Sequence, residues 1–117
     1  MEINEFAWLV HDLACAKGWY DDETNDSFQV KCNNLHNEVS ELHEAWRKGA
    51  LRDPCDKVDG MRALGLRPLS CMEEELADIV IRAFDMMVRY KIDPAEVLQI
   101  KHQYNCSRPY RHGGKKG

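Results

Sequence analysis

The sequence lacks the features that mark membrane, secreted and thiolate-metal proteins. None of its hydrophobic runs approaches the roughly 18 residues that a membrane-spanning helix needs. The opening stretch, Met1 to Glu5, has neither the basic nor the apolar segment of a signal peptide. The five cysteines form no Cys-x-x-Cys pair and match no zinc-site spacing. We therefore expect a cytoplasmic protein with free thiols and no membrane partner.

Alternating polar and apolar runs, which would indicate β-strands, are also missing, whereas helical spacing of apolar residues recurs. This spacing predicts four helices, over about 3–17, 27–48, 70–90 and 94–104. The connection 50–70 contains two prolines and two glycines and is predicted to be mostly irregular, with a short helical turn near 61–64. The fold class is all-α. Its 117 residues suit one domain, over 1–107, followed by a basic C-terminal tail, 108–117.

Charge is divided unevenly along the chain. The net charge is −4, but residues 101–117 carry five cations and no acid, which leaves −9 on residues 1–100. An acidic body with a basic tail suits metal-dependent chemistry on phosphates, because one part binds cations and the other binds anions. A solvated helical surface followed by an unstructured basic end would give the same distribution. Charge alone leaves both interpretations open.

Two of the predicted helices each carry an acidic pair three residues apart, Glu38-x-x-Glu41 and Glu75-x-x-Asp78. Residues three apart lie on one helix face. At about 100° per residue, Glu38 lies closest to the apolar stripe of its helix, and Asp78 lies farthest from the stripe of its own. If the helices pack antiparallel through these stripes, the four carboxylates converge. They would then repel one another unless a cation lies among them.

Oxygen ligands without cysteine or histidine favour Mg²⁺ or Mn²⁺ over softer metals. A ferritin-like di-iron site is not expected, because the sequence contains no Glu-x-x-His. Acidic pairs on helices are also common on solvated faces, so the spacing by itself leaves that alternative open.

Several segments, in order, resemble the MazG-like family of all-α nucleoside triphosphate pyrophosphohydrolases. They are Gly18-Trp19, the run 34–42 around Glu38-x-x-Glu41, the run 74–79 around Glu75-x-x-Asp78, and the tail, Lys101 with 105–115. The tail resembles the family's Lys…Asn…Arg-Pro-Tyr-Arg-His pattern. The resemblance covers most of residues 1–116, and it departs from the shortest members of the family in its longer connection, 50–70.

The resemblance implies a four-helix-type bundle that hydrolyses a nucleoside triphosphate, NTP or dNTP, to the monophosphate and pyrophosphate with Mg²⁺ or Mn²⁺. By the matching positions, Glu38, Glu41, Glu75 and Asp78 are the expected metal ligands. Glu38 or Glu41 is expected to be catalytic by orienting or deprotonating the attacking water. The family also implies a homodimer or a dimer of dimers, and a role in removing abnormal nucleotides.

The same resemblance assigns the phosphate contacts to the C-terminal part of the chain. Lys101 and Asn105 are four residues apart on the last helix, and Arg108 and Arg111 suit charge-assisted bonds to phosphate oxygens as the tail closes over them. For the nucleobase, Trp19 and Asn34 are candidate contacts. No nucleic-acid partner is expected.

The tryptophans differ in their expected roles. Trp19 follows the first helix in a polar loop, which suits a base-binding ring. Trp46 lies on the apolar stripe of its helix, and Trp8 lies on the first helix, so both are predicted to pack in the core.

Two alternatives remain open at this point. The chain could be a non-catalytic helical interaction module whose acidic faces are solvated and whose basic tail binds a partner. It could also be a related pyrophosphohydrolase acting on phosphoribosyl-ATP or dUTP, since no residue of the expected pocket excludes either substrate.

Overall fold

The computed structural model describes residues 1–110, and within them the chain forms five α-helices and no strand. The all-α prediction is confirmed. The helices are α1 (Ile3–Ala16), α2 (Phe28–Arg47), α3 (Val58–Ala63), α4 (Cys71–Arg89) and α5 (Pro94–Ser107). Four match the predicted helices. The short α3 takes the place of the helical turn expected in the connection, and it begins three residues earlier.

Side-chain caps fix the starts of the longer helices. Ser27 accepts a hydrogen bond from the backbone N–H of Val30, and Asp93 caps α5 in the same way. Ser70 and Glu73 form the predicted reciprocal capping box at the start of α4. These short polar side chains satisfy backbone N–H groups that a helix start leaves unpaired, so the sequence alone locates the starts closely.

Helix α4 is central, since it contacts α1, α2 and α5. Both α1 and α2 run antiparallel to it. Arg89, at the end of α4, pairs with Asp26 just before α2, and Arg82 pairs with Glu38 about halfway along α2. Phe6, near the start of α1, packs edge-on against Phe84 of α4. The N-terminal half of α4 therefore faces the middle of α2.

The connection between α2 and α4 folds back onto the start of α4. Backbone N–H groups of Cys71 and Met72 donate to carbonyls of Asp53 and Leu51. Cys55 and Val58 are among the few buried apolar residues in the described chain. The irregular segment thus packs beside the acidic end of α4 instead of extending into solvent.

The apolar stripes do not face each other as expected. Trp46 is 61% exposed and stacks on His43, and Leu76 is 47% exposed, so the prediction that Trp46 packs in the core is wrong. Trp8 is also exposed. The reason is that α2 and α4 turn their acidic faces inward, where Glu38 is buried, and this rotation directs much of the apolar surface outward.

The described chain is extended for its length. Its radius of gyration is 16.7 Å, whereas a compact domain of this length has about 13 Å. Within residues 1–110, no helix is both long and apolar enough to cross a membrane.

Candidate metal and nucleotide site

Three glutamates from two helices meet between α2 and α4. Glu38 and Glu41 on α2 and Glu75 on α4 each bring one carboxylate oxygen within 4.8 Å of the others. We call these three residues the carboxylate cluster. The sequence predicted that these three carboxylates and Asp78 would converge. The structure brings these three together, because antiparallel α2 and α4 place their acidic pairs at the same level. Three oxygens at such distances suit the coordination of one hard divalent cation.

Two oxygens of the cluster have no donor. Glu38 Oε1 accepts a 2.7 Å bond from Arg82 Nε, but Glu38 Oε2 is buried without a hydrogen-bond partner in the described chain. Glu75 Oε2 is likewise buried without a hydrogen-bond partner in the described chain. A buried carboxylate oxygen without a partner is costly, because it has lost its hydration and gained nothing in return. A bound cation or a shared proton would satisfy both oxygens.

The pKa of Glu75 is raised, because its carboxyl group is partly buried and lies close to those of Glu38 and Glu41. Burial, together with the negative charge and hydrogen bonding of Glu41 and Glu38, raises it to about 7. When protonated, Glu75 can donate to a neighbouring glutamate, whereas the ionised cluster has no proton to share. The raised pKa favours a proton on Glu75 near neutral pH when no cation is bound.

Asp78 lies one helical turn beyond Glu75 and outside the three-residue cluster. Its pKa is also raised, first by burial and then by the charges of Glu38 and Glu74, while Lys57 and Arg82 oppose the shift. Asp78 also lines a neighbouring cavity. The fourth predicted ligand is thus at the boundary between the carboxylate cluster and that cavity.

The cavity has a volume of about 260 Å³ and lies between α1, α2 and α4. Trp19 and Asn34, the two predicted base contacts, both line it. Its apolar wall comes from α1 and α4, from residues such as Leu13 and Ile81. An apolar slot with one aromatic ring and a few polar groups is the usual form of a small-molecule site.

A network of side chains holds the loop that carries Trp19. The Tyr20 hydroxyl donates to Asp85, which also bonds His11 Nδ1 at 2.8 Å. The Tyr20 ring lies between two cations, with Lys31 Nζ 3.9 Å and the Arg89 guanidinium 4.5 Å from its centroid. Burial and the hydrogen bond to Asp85 raise the pKa of Tyr20, so it stays a donor. The loop is therefore fixed against α4.

Acidic residues beside the cluster have structural partners. Glu74 is buried and pairs with Lys57 of the connection, whose pKa the pairing raises. This ion pair anchors the connection to α4. Neighbouring residues of α4 thus have different roles, since Glu74 pairs with the connection and Glu75 belongs to the carboxylate cluster.

The structure places the predicted phosphate-binding residues elsewhere. Lys101, Asn105 and Arg108 are on or just after α5, which contacts α1 and α4 but not α2. Lys101 and Arg108 lie over the ring of Tyr104, at 5.1 and 5.8 Å. Within residues 1–110, none of the three lines the cavity or bonds the cluster. Arg111 lies outside the described residues.

Arg82 is the main residue of the site that sequence reasoning missed. It bonds Glu38 of the cluster, lines the cavity, and its guanidinium lies 5.7 Å from the centroid of the Trp19 ring. A signal was available, because Arg82 comes four residues after Asp78 and seven after Glu75 and therefore shares their helix face.

Comparison with models of protein families, with curated proteins and with solved structures finds no match to this chain.

Glu75→Gln should change how stability depends on pH in metal-free protein. Glu75 has a pKa of about 7 when folded against an ordinary 4.5, so between these values the folded chain holds a proton that the unfolded chain has released. The free energy of unfolding therefore falls as pH rises from about 4.5 to about 7. Glutamine cannot ionise, so the variant should show a flatter profile.

Urea unfolding in EDTA between about pH 5 and about pH 8 measures this. Glu44→Gln is the matched control, because Glu44 is an exposed residue of α2 paired with Arg47 and Lys48. It should keep the wild-type slope. Identical profiles for wild type and Glu75→Gln would contradict the assignment of the raised pKa to Glu75.

Proposed function

We propose that the chain is a MazG-like pyrophosphohydrolase that converts an NTP or dNTP to the nucleoside monophosphate and pyrophosphate with Mg²⁺ or Mn²⁺. One observation supports this most strongly. The carboxylates of Glu38 and Glu75, each with one buried oxygen that has no partner in the described chain, converge with Glu41 beside a cavity that Trp19 and Asn34 line. A cation-binding cluster next to a slot of this kind suits a ligand with phosphates at one end and a flat ring at the other.

The donor set fits a hard divalent cation. Glu38, Glu41 and Glu75 would hold it, with Asp78 at the edge of the site. When bound, such an ion neutralises charge on the attacking and leaving oxygens of phosphoryl transfer. It would also satisfy the two orphaned oxygens that the carboxylate cluster leaves.

Activation of the attacking water would be the role of a side chain of the site. Water attacks the α-phosphorus in line, the bond from that phosphorus to the bridging oxygen breaks, and pyrophosphate leaves. Glu38 is engaged by Arg82, whereas Glu41 is exposed and has no ion pair in the described chain. Glu41 is therefore the better placed of the two predicted catalytic residues to orient the water and take its proton.

The cavity would bind the nucleoside part of the substrate. Trp19 offers an aromatic face, and Asn34 offers an amide that both donates and accepts, as a base edge requires. Tyr20 fixes the loop before any ligand arrives, so little ordering is needed on binding. These contacts do not separate NTPs from dUTP or phosphoribosyl-ATP, which a substrate panel would rank.

The exposed apolar surface suggests a second copy of the chain. Val39, Trp46, Leu76 and Val80 of α2 and α4 are each about half exposed, and the described chain buries few apolar residues of its own. A homodimer or a dimer of dimers would cover such a surface. It would also allow the cations of α5 to reach the site of a neighbouring protomer, since they do not reach their own.

Pyrophosphate release from a panel of canonical and modified NTPs and dNTPs tests the proposed reaction. Wild type should release pyrophosphate and monophosphate with Mg²⁺ and neither in EDTA. Glu41→Gln and Asp78→Asn should each lower the rate by at least about 100-fold, since each removes a group that holds the cation or activates water.

Glu44→Gln provides the control, because Glu44 lies one turn beyond Glu41 and faces solvent. It should keep wild-type activity. Pyrophosphate release by the double variant Glu38→Ala, Asp78→Ala would contradict the site assignment. A folded wild type inactive on the whole panel would favour the non-catalytic interaction module.

Leu76→Glu and Val80→Glu should weaken the proposed assembly, because each places a charge on the exposed apolar surface. Sedimentation equilibrium should give wild type at least about twice the 13.6 kDa chain mass, and the variants a smaller mass. Ile100→Glu changes an equally exposed apolar residue of α5 and serves as comparison. Monomeric wild type at micromolar concentration would contradict the assembly.

A further inference from the structure

Arg82 connects the two halves of the site. Its Nε donates to Glu38 Oε1 at 2.7 Å, which ties it to the carboxylate cluster. The same residue lines the cavity beside Asp78 and Asn34, and about one third of its side chain is exposed. Arg82 thus lies at the junction of the cavity and the carboxylate cluster.

Most hydrogen-bond donors of Arg82 have no protein acceptor. A guanidinium has five N–H donors, and in the described chain only Nε has an acceptor. The two Nη groups carry the other four. The Trp19 ring, 5.7 Å from the guanidinium carbon, and the Nε bond restrain its orientation from two sides. The two Nη nitrogens are therefore restrained in orientation but have no hydrogen-bond acceptor in the described chain.

The other cations near the cavity differ in this respect. Lys31 is buried and donates to the Asn25 carbonyl, with Asp26 3.8 Å away. Exposed Lys17 also lines the cavity but bonds no member of the cluster among the described residues. Only Arg82 of these three touches both the cavity and a member of the carboxylate cluster.

We propose that Arg82 is a substrate-binding residue whose Nη groups bind the phosphate attached to the sugar while its Nε stays on Glu38. This inference rests on the proposed function. With the base in the cavity, attack on the α-phosphorus by a water that Glu41 orients requires the sugar-linked phosphate to lie where the cavity meets the cluster, and Arg82 is located at this junction. A guanidinium fork matches two oxygens of one phosphate, and a lysine ammonium does not.

The test compares binding of a nucleoside 5′-monophosphate with binding of the same nucleoside, by calorimetry in saturating Mg²⁺. The four common bases are used as probes, and the monophosphate that wild type binds most tightly is carried forward. The reaction product cannot turn over, so this readout is independent of catalysis. Arg82→Lys is the main variant, because it keeps a positive charge near Glu38 and loses the fork.

Arg82→Lys should weaken monophosphate binding roughly tenfold or more and change nucleoside binding less than about twofold. Arg82→Gln should weaken monophosphate binding by the same factor or more. Arg47→Gln is the matched control, since Arg47 is an exposed arginine of α2 paired with Glu44, and it should bind both probes as wild type does. Thermal unfolding and Mn²⁺ affinity, measured on every variant, separate loss of the phosphate contact from loss of fold or cation site.

Three results would overturn the inference. Arg82→Lys could bind the monophosphate as tightly as wild type, it could weaken nucleoside and monophosphate equally, or wild type could bind no monophosphate. Failure of the proposed function looks different. In that case wild type binds the monophosphate through Arg82 and yet releases no pyrophosphate from any triphosphate.

Discussion

The structure depends on the convergence of three carboxylates between α2 and α4, of which Glu38 is buried, Glu75 half-buried and Glu41 exposed. Like charges at this separation repel strongly where water is scarce. The chain offsets part of that repulsion with Arg82 on Glu38 and Lys57 on Glu74, and a raised pKa lets Glu75 keep a proton near neutral pH. Two oxygens still have no donor. Such an arrangement is unfavourable for stability alone, and the cation site that we propose would offset this cost.

Other features follow from turning these acidic faces inward. The apolar residues of α2 and α4 are left half exposed, and the chain is extended, with a radius of gyration of 16.7 Å. The connection between the helices is held by Glu74, and the Trp19 loop is held by Tyr20 and Asp85. Site formation and the apolar surface that we assign to assembly thus have a common origin in the orientation of two helices.

The sequence was sufficient for the helices and the acidic motifs, because caps such as Ser70 and pairs such as Glu38 and Glu41 are local. It was insufficient for the rotation of the helices. Periodicity shows that Trp46 lies on an apolar stripe, but which neighbour covers that stripe is a tertiary property. Arg82 shares a helix face with Glu75 and Asp78, but that local pattern does not show its bond to Glu38, which is 44 residues away and is a tertiary contact.

The central claim is that these three glutamates hold a divalent cation. A crystal grown with Mn²⁺ and measured for anomalous scattering tests it most directly, because the signal locates the metal without reference to activity. The account predicts a peak in contact with carboxylate oxygens of Glu38, Glu41 and Glu75. A Mn²⁺-saturated crystal with no peak there, or with Glu38 and Glu75 oxygens bonded only to protein, would contradict it.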